Sequence, residues 1–164
     1  MENKGLVIVH TGDGKGKTTA ALGMAMRAWG NHLRVLILQF IKGSWKYGEL
    51  ESIKALASIN NQIEIRQGGL GFSRRGNGAE EEHRCAAAEL LQTAMDELRS
   101  NAWDMIILDE FNYAYSFGFI SLDELEQLLS VRPEKTHLIF TGRNAAQQLI
   151  DRADLVTEMR LVKH

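Results

Sequence analysis

The sequence predicts an α/β fold: a mostly parallel central sheet of about six strands with helices on both faces, in one domain spanning residues 1–164. Three observations predict it. Apolar runs alternate with helix-forming stretches along the chain, the order that parallel sheets with crossover helices require. The runs are continuously apolar, as in Val35-Leu36-Ile37-Leu38, which suits strands covered on both faces. Between Leu6-Val7-Ile8-Val9 and Ala20-Ala21-Leu22-Gly23 lies Thr11-Gly12-Asp13-Gly14-Lys15-Gly16-Lys17-Thr18-Thr19, a glycine-rich turn joining strand to helix.

The elements follow in order. Gly5 to His10 is the first strand, and Thr18 to about Trp29 the first helix, with Gly30-Asn31 as its C-cap. Arg34 to Phe40 is a buried strand. The loop from Gly43 to Gly48 carries Trp45 and Tyr47, and Glu49 to Ser58 reads as a helix. Ile63-Glu64-Ile65-Arg66 alternates with period two, as a short strand does. Gln67 to Gly78 holds five glycines, too many for regular structure, and long loops of that kind are usually functional or mobile.

Ala79 to Ser100 is the longest helix, with Ala86, Leu90, Ala94 and Leu98 along one face and Glu80-Glu81-Glu82 in its first turn. Asp104 to Glu110 is the next buried strand. Ser121-Leu122-Asp123-Glu124 has capping-box spacing and opens a helix to about Ser130, which Arg132-Pro133 stops. Thr136 to Thr141 is a strand, Asn144 caps a helix to Ala153, and Leu155 to Leu161 is the final strand. Met24 and Met26 on the first helix read as core filling.

Composition narrows the function. At 164 residues and 45% hydrophobic content, the chain buries a sizeable core. A net charge of -2 leaves no basic footprint for nucleic acid or an anionic membrane surface. Cys85 is the sole cysteine, which fits a reducing compartment. No stretch approaches the roughly 20 apolar residues of a membrane span, and no signal peptide precedes the first strand, so a soluble cytoplasmic protein is expected. The five histidines share no ligand-like spacing, and His83 with Cys85 makes only a weak zinc pair.

The glycine-rich turn is the chemical centre. Gly16, Lys17 and Thr18 match G-x-x-x-x-G-K-[ST], the pattern of a phosphate-binding loop, while Thr11 stands where the first glycine belongs. In such a loop, backbone N–H groups and the positive end of the following helix make a concave anion site. Lys17 supplies a point charge for phosphate oxygens, and the Thr18 hydroxyl completes a magnesium shell. Met105-Ile106-Ile107-Leu108 followed by Asp109-Glu110 supplies the second half: a central strand delivering carboxylates near that metal. The spacing does not decide which of the two acids touches it. Taken alone, the strand reads rather as a core element ending in a solvated acidic turn; the phosphate loop upstream is what favours the metal role.

Several further pieces give the chain a family likeness: Gln39-Phe40-Ile41-Lys42-Gly43, Gly71-Phe72, Leu108-Asp109-Glu110 followed by Tyr113, Arg132-Pro133, Thr141-Gly142-Arg143, Ala153 to Arg160, and Val162-Lys163-His164. With the phosphate loop, they resemble the ATP:corrinoid adenosyltransferases of the cobalamin pathway, nearly end to end. The resemblance implies a three-layer RecA-like P-loop fold and transfer of the 5′-deoxyadenosyl group of ATP to Co(I) of a corrinoid, with release of triphosphate. The nucleophile is then the cofactor's cobalt, so the protein's tasks are orientation and neutralisation of the leaving group.

Carried over by position, the resemblance makes Thr11, Gly12, Asp13, Gly14, Lys15, Gly16, Lys17, Thr18, Thr19 and Arg143 the ATP site, with Asp13 near the ribose. Lys17, Thr18 and Glu110 form the catalytic set, and Thr18, Asp109 and Glu110 the magnesium set. It further implies a reduced flavin or flavoprotein as electron donor and a homodimer. Phe72 belongs to a loop that swings beneath the corrin ring in this family, where Arg74 replaces the usual tryptophan; Trp45 offers another apolar wall. Family members usually continue beyond the Lys-His pair into a short tail ending in an aromatic residue, whereas this sequence stops at His164. A P-loop NTPase or small-molecule kinase, and a non-catalytic ATP or corrinoid carrier, are the alternative readings.

Overall fold

The computed structural model describes residues 4–42, 46–69 and 79–163. Its six-stranded sheet has the order β3-β2-β4-β5-β1-β6, where β1 is Val7–Thr11, β2 Val35–Gln39, β3 Ile63–Gln67, β4 Met105–Asp109, β5 His137–Thr141 and β6 Leu155–Glu158. Every neighbouring pair is parallel. The helices are α1 (Lys17–Gly30), α2 (Gly48–Asn60), α3 (Ala79–Ser100), α4 (Phe111–Ser116), α5 (Leu122–Ser130) and α6 (Gln147–Arg152).

Alternation along each strand sorts the core into two layers, because successive side chains point to opposite faces. Ile8, Val35, Ile37, Ile107 and Ile139 meet Ala21, Ala25 and Ala28 of α1 and Ile53 of α2. Val7, Val9, Leu36, Leu38, Leu108 and Phe140 meet Leu90, Leu91, Ala94 and Leu98 of α3, with Phe111, Leu125, Leu128 and Leu149. Small alanines on α1 seat that helix close to the sheet, which carries its N-terminus to the ends of β1 and β4. Among the described residues no helix is long and apolar enough to cross a membrane.

Several boundaries differ from expectation, each for a visible reason. Helix α6 starts at Gln147 with Ala146 as N-cap and no side-chain cap; Asn144 sits earlier, in a left-handed turn at φ 54°. Strand β6 ends at Glu158 because Met159 turns to bond the phosphate loop, donating to Thr11 O at 2.8 Å and accepting from Gly14 N at 2.7 Å. On α3 the buried position is Ala87, with Ala86 only half-buried, one residue round the helix from the expected stripe. Met26 is 58% exposed, so it fills no core. Helix α4, absent from the expectations, follows β4 at once and buries Phe111 against Phe40 and Phe140. The capping box forms as read: Ser121 Oγ accepts from Glu124 N and the Glu124 carboxylate accepts from Ser121 N.

Candidate active site

The loop after β1 takes its shape from a partner far along the chain. Gly12 has φ 95°, and a side chain there would lie 2.4 Å from the Met159 carbonyl oxygen. Gly14 is as tightly placed, with a Cβ position 2.7 Å from the same oxygen. Both must be glycine for Met159 to pass beneath the loop. Thr11, where the pattern wants glycine, is still strand: it is buried at the end of β1, and its Oγ1 accepts from Ala145 N at 3.2 Å. The left-handed position has moved one residue on, and the threonine hydroxyl ties the loop to the turn that carries Arg143.

Lys17, the first residue of α1, folds back over the loop and donates from Nζ to Gly12 O at 2.8 Å and Gly14 O at 2.6 Å. Partial burial pulls its pKa below the ordinary lysine value, against the opposing pull of Glu110. An open cavity of about 300 Å³ lies in front of it, lined by Gly14, Lys15, Gly16, Lys17, Thr18, Thr19, Glu110, Tyr113 and Arg143. Lysine and arginine face an N-terminal helix end and a string of backbone amides, an arrangement built for a polyanion. Arg143 stands 3.8 Å from Asp13 across the cavity mouth, and both are largely exposed.

The two acids separate cleanly. Asp109 is 1% exposed, and its carboxylate is fully engaged. Oδ1 accepts from Thr18 Oγ1 and from Thr141 Oγ1, each at 2.7 Å; Oδ2 accepts from Gln39 Nε2 at 3.1 Å and faces Lys42 Nζ at 3.1 Å. Strand β5 lies between β1 and β4, so Thr141 bridges the gap that separates the phosphate-loop strand from the acidic one. Its hydroxyl also accepts from Glu110 N at 2.9 Å. Glu110 adopts a left-handed backbone, φ 61°, uncommon for a glutamate and found where surroundings hold a residue for a purpose. Its side chain lines the cavity; burial and the neighbouring Asp109 charge raise its pKa.

Among the described residues no group of three or more His, Cys, Asp or Glu is placed to hold a metal. The donors available in the cavity are the Thr18 hydroxyl, whose proton is committed to Asp109, and the Glu110 carboxylate. With phosphate oxygens, that hard-oxygen set fits magnesium, which prefers few protein ligands.

The structure thus brings together the expected residues 11–19, Asp109, Glu110 and Arg143. Trp45, Phe72 and Arg74 lie outside the described residues. Sequence reasoning quoted Gln39, Lys42, Tyr113 and Thr141 within motifs but gave them no role. Tyr113 lines the cavity and stacks on Phe117 at 4.1 Å, and the other three hold Asp109. The ladder register Gln39↔Asp109 was the missing signal, and spacing along the chain does not contain it.

Comparison with known proteins agrees with this geometry. A family model described as ATP:corrinoid adenosyltransferase BtuR/CobO/CobP matches residues 3–164. A corrinoid adenosyltransferase of Escherichia coli strain K12 is 37% identical over 164 residues, covering 100% of this chain and 81% of that protein. Corrinoid adenosyltransferase CobA of Salmonella typhimurium is 36% identical over the same shares. In fold, the flagellar accessory protein FlaH of Methanocaldococcus jannaschii superposes with a TM-score of 0.63 at 13% identity, over 95% of this chain and 71% of that one. The chain belongs to the ATP:corrinoid adenosyltransferase family.

Proposed function

We propose that the protein transfers the 5′-deoxyadenosyl group of ATP to the Co(I) centre of a corrinoid, releasing inorganic triphosphate. The observation that carries this reading is a polyanion cavity with Lys17, Thr18, Glu110 and Arg143 on its walls, in a chain matched along its length by the family model. A cobalt electron pair forms the bond to C5′, the C5′–O5′ bond breaks, and both its electrons leave on the triphosphate. No proton transfer is required at the reacting carbon. The protein's contribution is to hold the triphosphate still and to absorb its developing charge.

Each residue has a task in that scheme. Lys17 exchanges its two loop carbonyls for phosphate oxygens, while the loop amides and the start of α1 receive the rest of the triphosphate. Arg143 neutralises charge at the cavity mouth, and Asp13 meets the ribose. Thr18 and Glu110 hold magnesium, with Asp109 behind them as the acceptor that orients Thr18; the metal supplies charge neutralisation of the leaving group. Phe72 is assigned to the corrinoid side from the family resemblance; Arg74, which stands where the family has tryptophan, and Trp45 are added from their chemistry and place in the sequence. The same resemblance supports a homodimer and a reduced flavin or flavoprotein as electron donor; a single domain and a cytoplasmic location rest on the length and composition of the sequence.

Product analysis tests the proposal. Purified protein, ATP, magnesium and chemically reduced cob(I)alamin should yield triphosphate and the cobalt–carbon absorption spectrum together. ADP and orthophosphate, formed without any cobalt–carbon product, would mean a phosphoryl-transfer enzyme instead.

A further inference from the structure

Lys42 has no task in the adenosyl-transfer scheme. It lies just beyond β2, and its side chain is only 12% exposed. The ammonium group lies 2.6 Å from Glu49 Oε1 on α2, 3.1 Å from Asp109 Oδ2, and 4.9 Å above the Tyr47 ring centre. Gln39 runs parallel to it, donating from Nε2 to both Asp109 Oδ2 and Glu49 Oε1. Burial alone would push a lysine toward neutrality; here the carboxylates of Asp109 and Glu49 outweigh burial and raise its pKa, so the cation persists.

A buried ion pair of this kind is poor evidence for stability, since the cost of desolvating both groups consumes much of the attraction. Its placement is more informative. Asp109 presents one oxygen to Lys42 and Gln39 and the other to Thr18 and Thr141. A carboxylate held at both oxygens cannot rotate, and its free acceptor direction is fixed. The Thr18 proton therefore points away from the cavity, leaving the hydroxyl lone pairs toward it. Through Thr141 the same carboxylate sets the Glu110 backbone. Side chains that orient a metal ligand from behind also set its affinity, and losing one typically costs about 10–100-fold.

We propose that Lys42, assisted by Gln39, is a positioning residue for the magnesium–nucleotide site, acting through Asp109 on Thr18. The inference rests on the reading of this cavity as a MgATP site and adds a residue from outside it.

The test omits corrinoid altogether. ATP binding to the intact protein is measured by calorimetry without magnesium and across a magnesium chloride titration. Lys42→Met should raise the magnesium concentration for half-maximal enhancement roughly 3- to 10-fold, somewhat less than the 10–100-fold typical of removing the outer-shell partner itself. Magnesium-free ATP affinity should stay within about twofold. Glu49→Gln, which leaves the Lys42–Asp109 contact in place, should leave the magnesium midpoint unmoved. Should Lys42→Met fail to fold, Gln39→Met gives the same readout with a smaller shift in the same direction. A magnesium midpoint unchanged in the folded lysine or glutamine variant, or moved equally by Glu49→Gln, would overturn the inference and leave the MgATP reading standing. A wild-type protein whose ATP affinity ignores magnesium would overturn both.

Discussion

Gly14→Ala offers the sharpest check on how the phosphate loop is built. The added methyl carbon would lie 2.7 Å from Met159 O, 2.8 Å from Met159 C and 2.9 Å from Arg160 C. All three are backbone atoms, so no side chain can swing aside. Relief requires the loop to back away, which breaks the 2.7 Å bond from Gly14 N to Met159 O. Overpacking of this sort costs about 1–3 kcal/mol and the lost hydrogen bond about 1 kcal/mol more. For a chain of this length, each kcal/mol lowers the melting temperature by about 2–4 °C, giving a drop of roughly 4–16 °C. The assay is thermal unfolding with and without MgATP, because a ligand that binds only the native state raises the melting point by an amount that grows with the logarithm of its concentration over its Kd. The variant should melt earlier and lose most of its MgATP-induced rise. Gly23→Ala is the control: it lies in α1 with nothing within 4 Å of its Cβ position, and alanine there should stabilise by about 0.5–1 kcal/mol. Wild-type melting and a wild-type MgATP shift in Gly14→Ala would refute the account of the Met159 contact.

Two other outcomes follow from the same geometry. Lys17→Ala removes the ammonium that bridges Gly12 O and Gly14 O; adenosyl transfer should fall on the order of 10²–10³-fold, as for other charge-stabilising donors, with the circular dichroism spectrum unchanged. His10 is buried with neither ring nitrogen hydrogen-bonded, and burial holds its pKa below the ordinary histidine value. The unfolded chain therefore binds the proton more tightly than the folded one. Its contribution to stability is complete above the unfolded pKa, about 6.5, and is lost as pH falls from there toward the folded value. His137, lowered by burial and by Arg132, acts in the same direction. Urea midpoints should drop between pH 7.5 and 5.5, and His10→Leu should shrink that drop; an equal drop in the variant would clear His10 of the effect.

How much of this was legible in the sequence depends on the range of the interaction. Strands and helices announced themselves through local periodicity: α3 spans the expected residues, and the Ser121–Glu124 box forms four residues of local chemistry. The loop and its acids were likewise readable, since Lys17, Thr18 and Asp109-Glu110 sit at the ends of obvious elements. Long-range partners were hidden. Nothing in the residues around Gly12 says that Met159 will lie beneath it, nor does the tail of β2 reveal that Lys42 reaches Asp109. Both depend on strand order, and the interposition of β5 between β1 and β4 is a property of the whole sheet. The role of Thr11 was obscured for the same reason: its partner, Ala145, follows β5. Asn144 misled because asparagine favours both helix caps and left-handed turns, and here the turn prevailed.

The pairing of residues 11–14 with Met159 has a consequence for how folding and binding are linked. The two walls of this cradle come from strands that are far apart in sequence and adjacent in the sheet, so its final shape is set only when β6 has docked beside β1. Bound nucleotide and β6 docking therefore favour one another: each stabilises the loop conformation that the other needs.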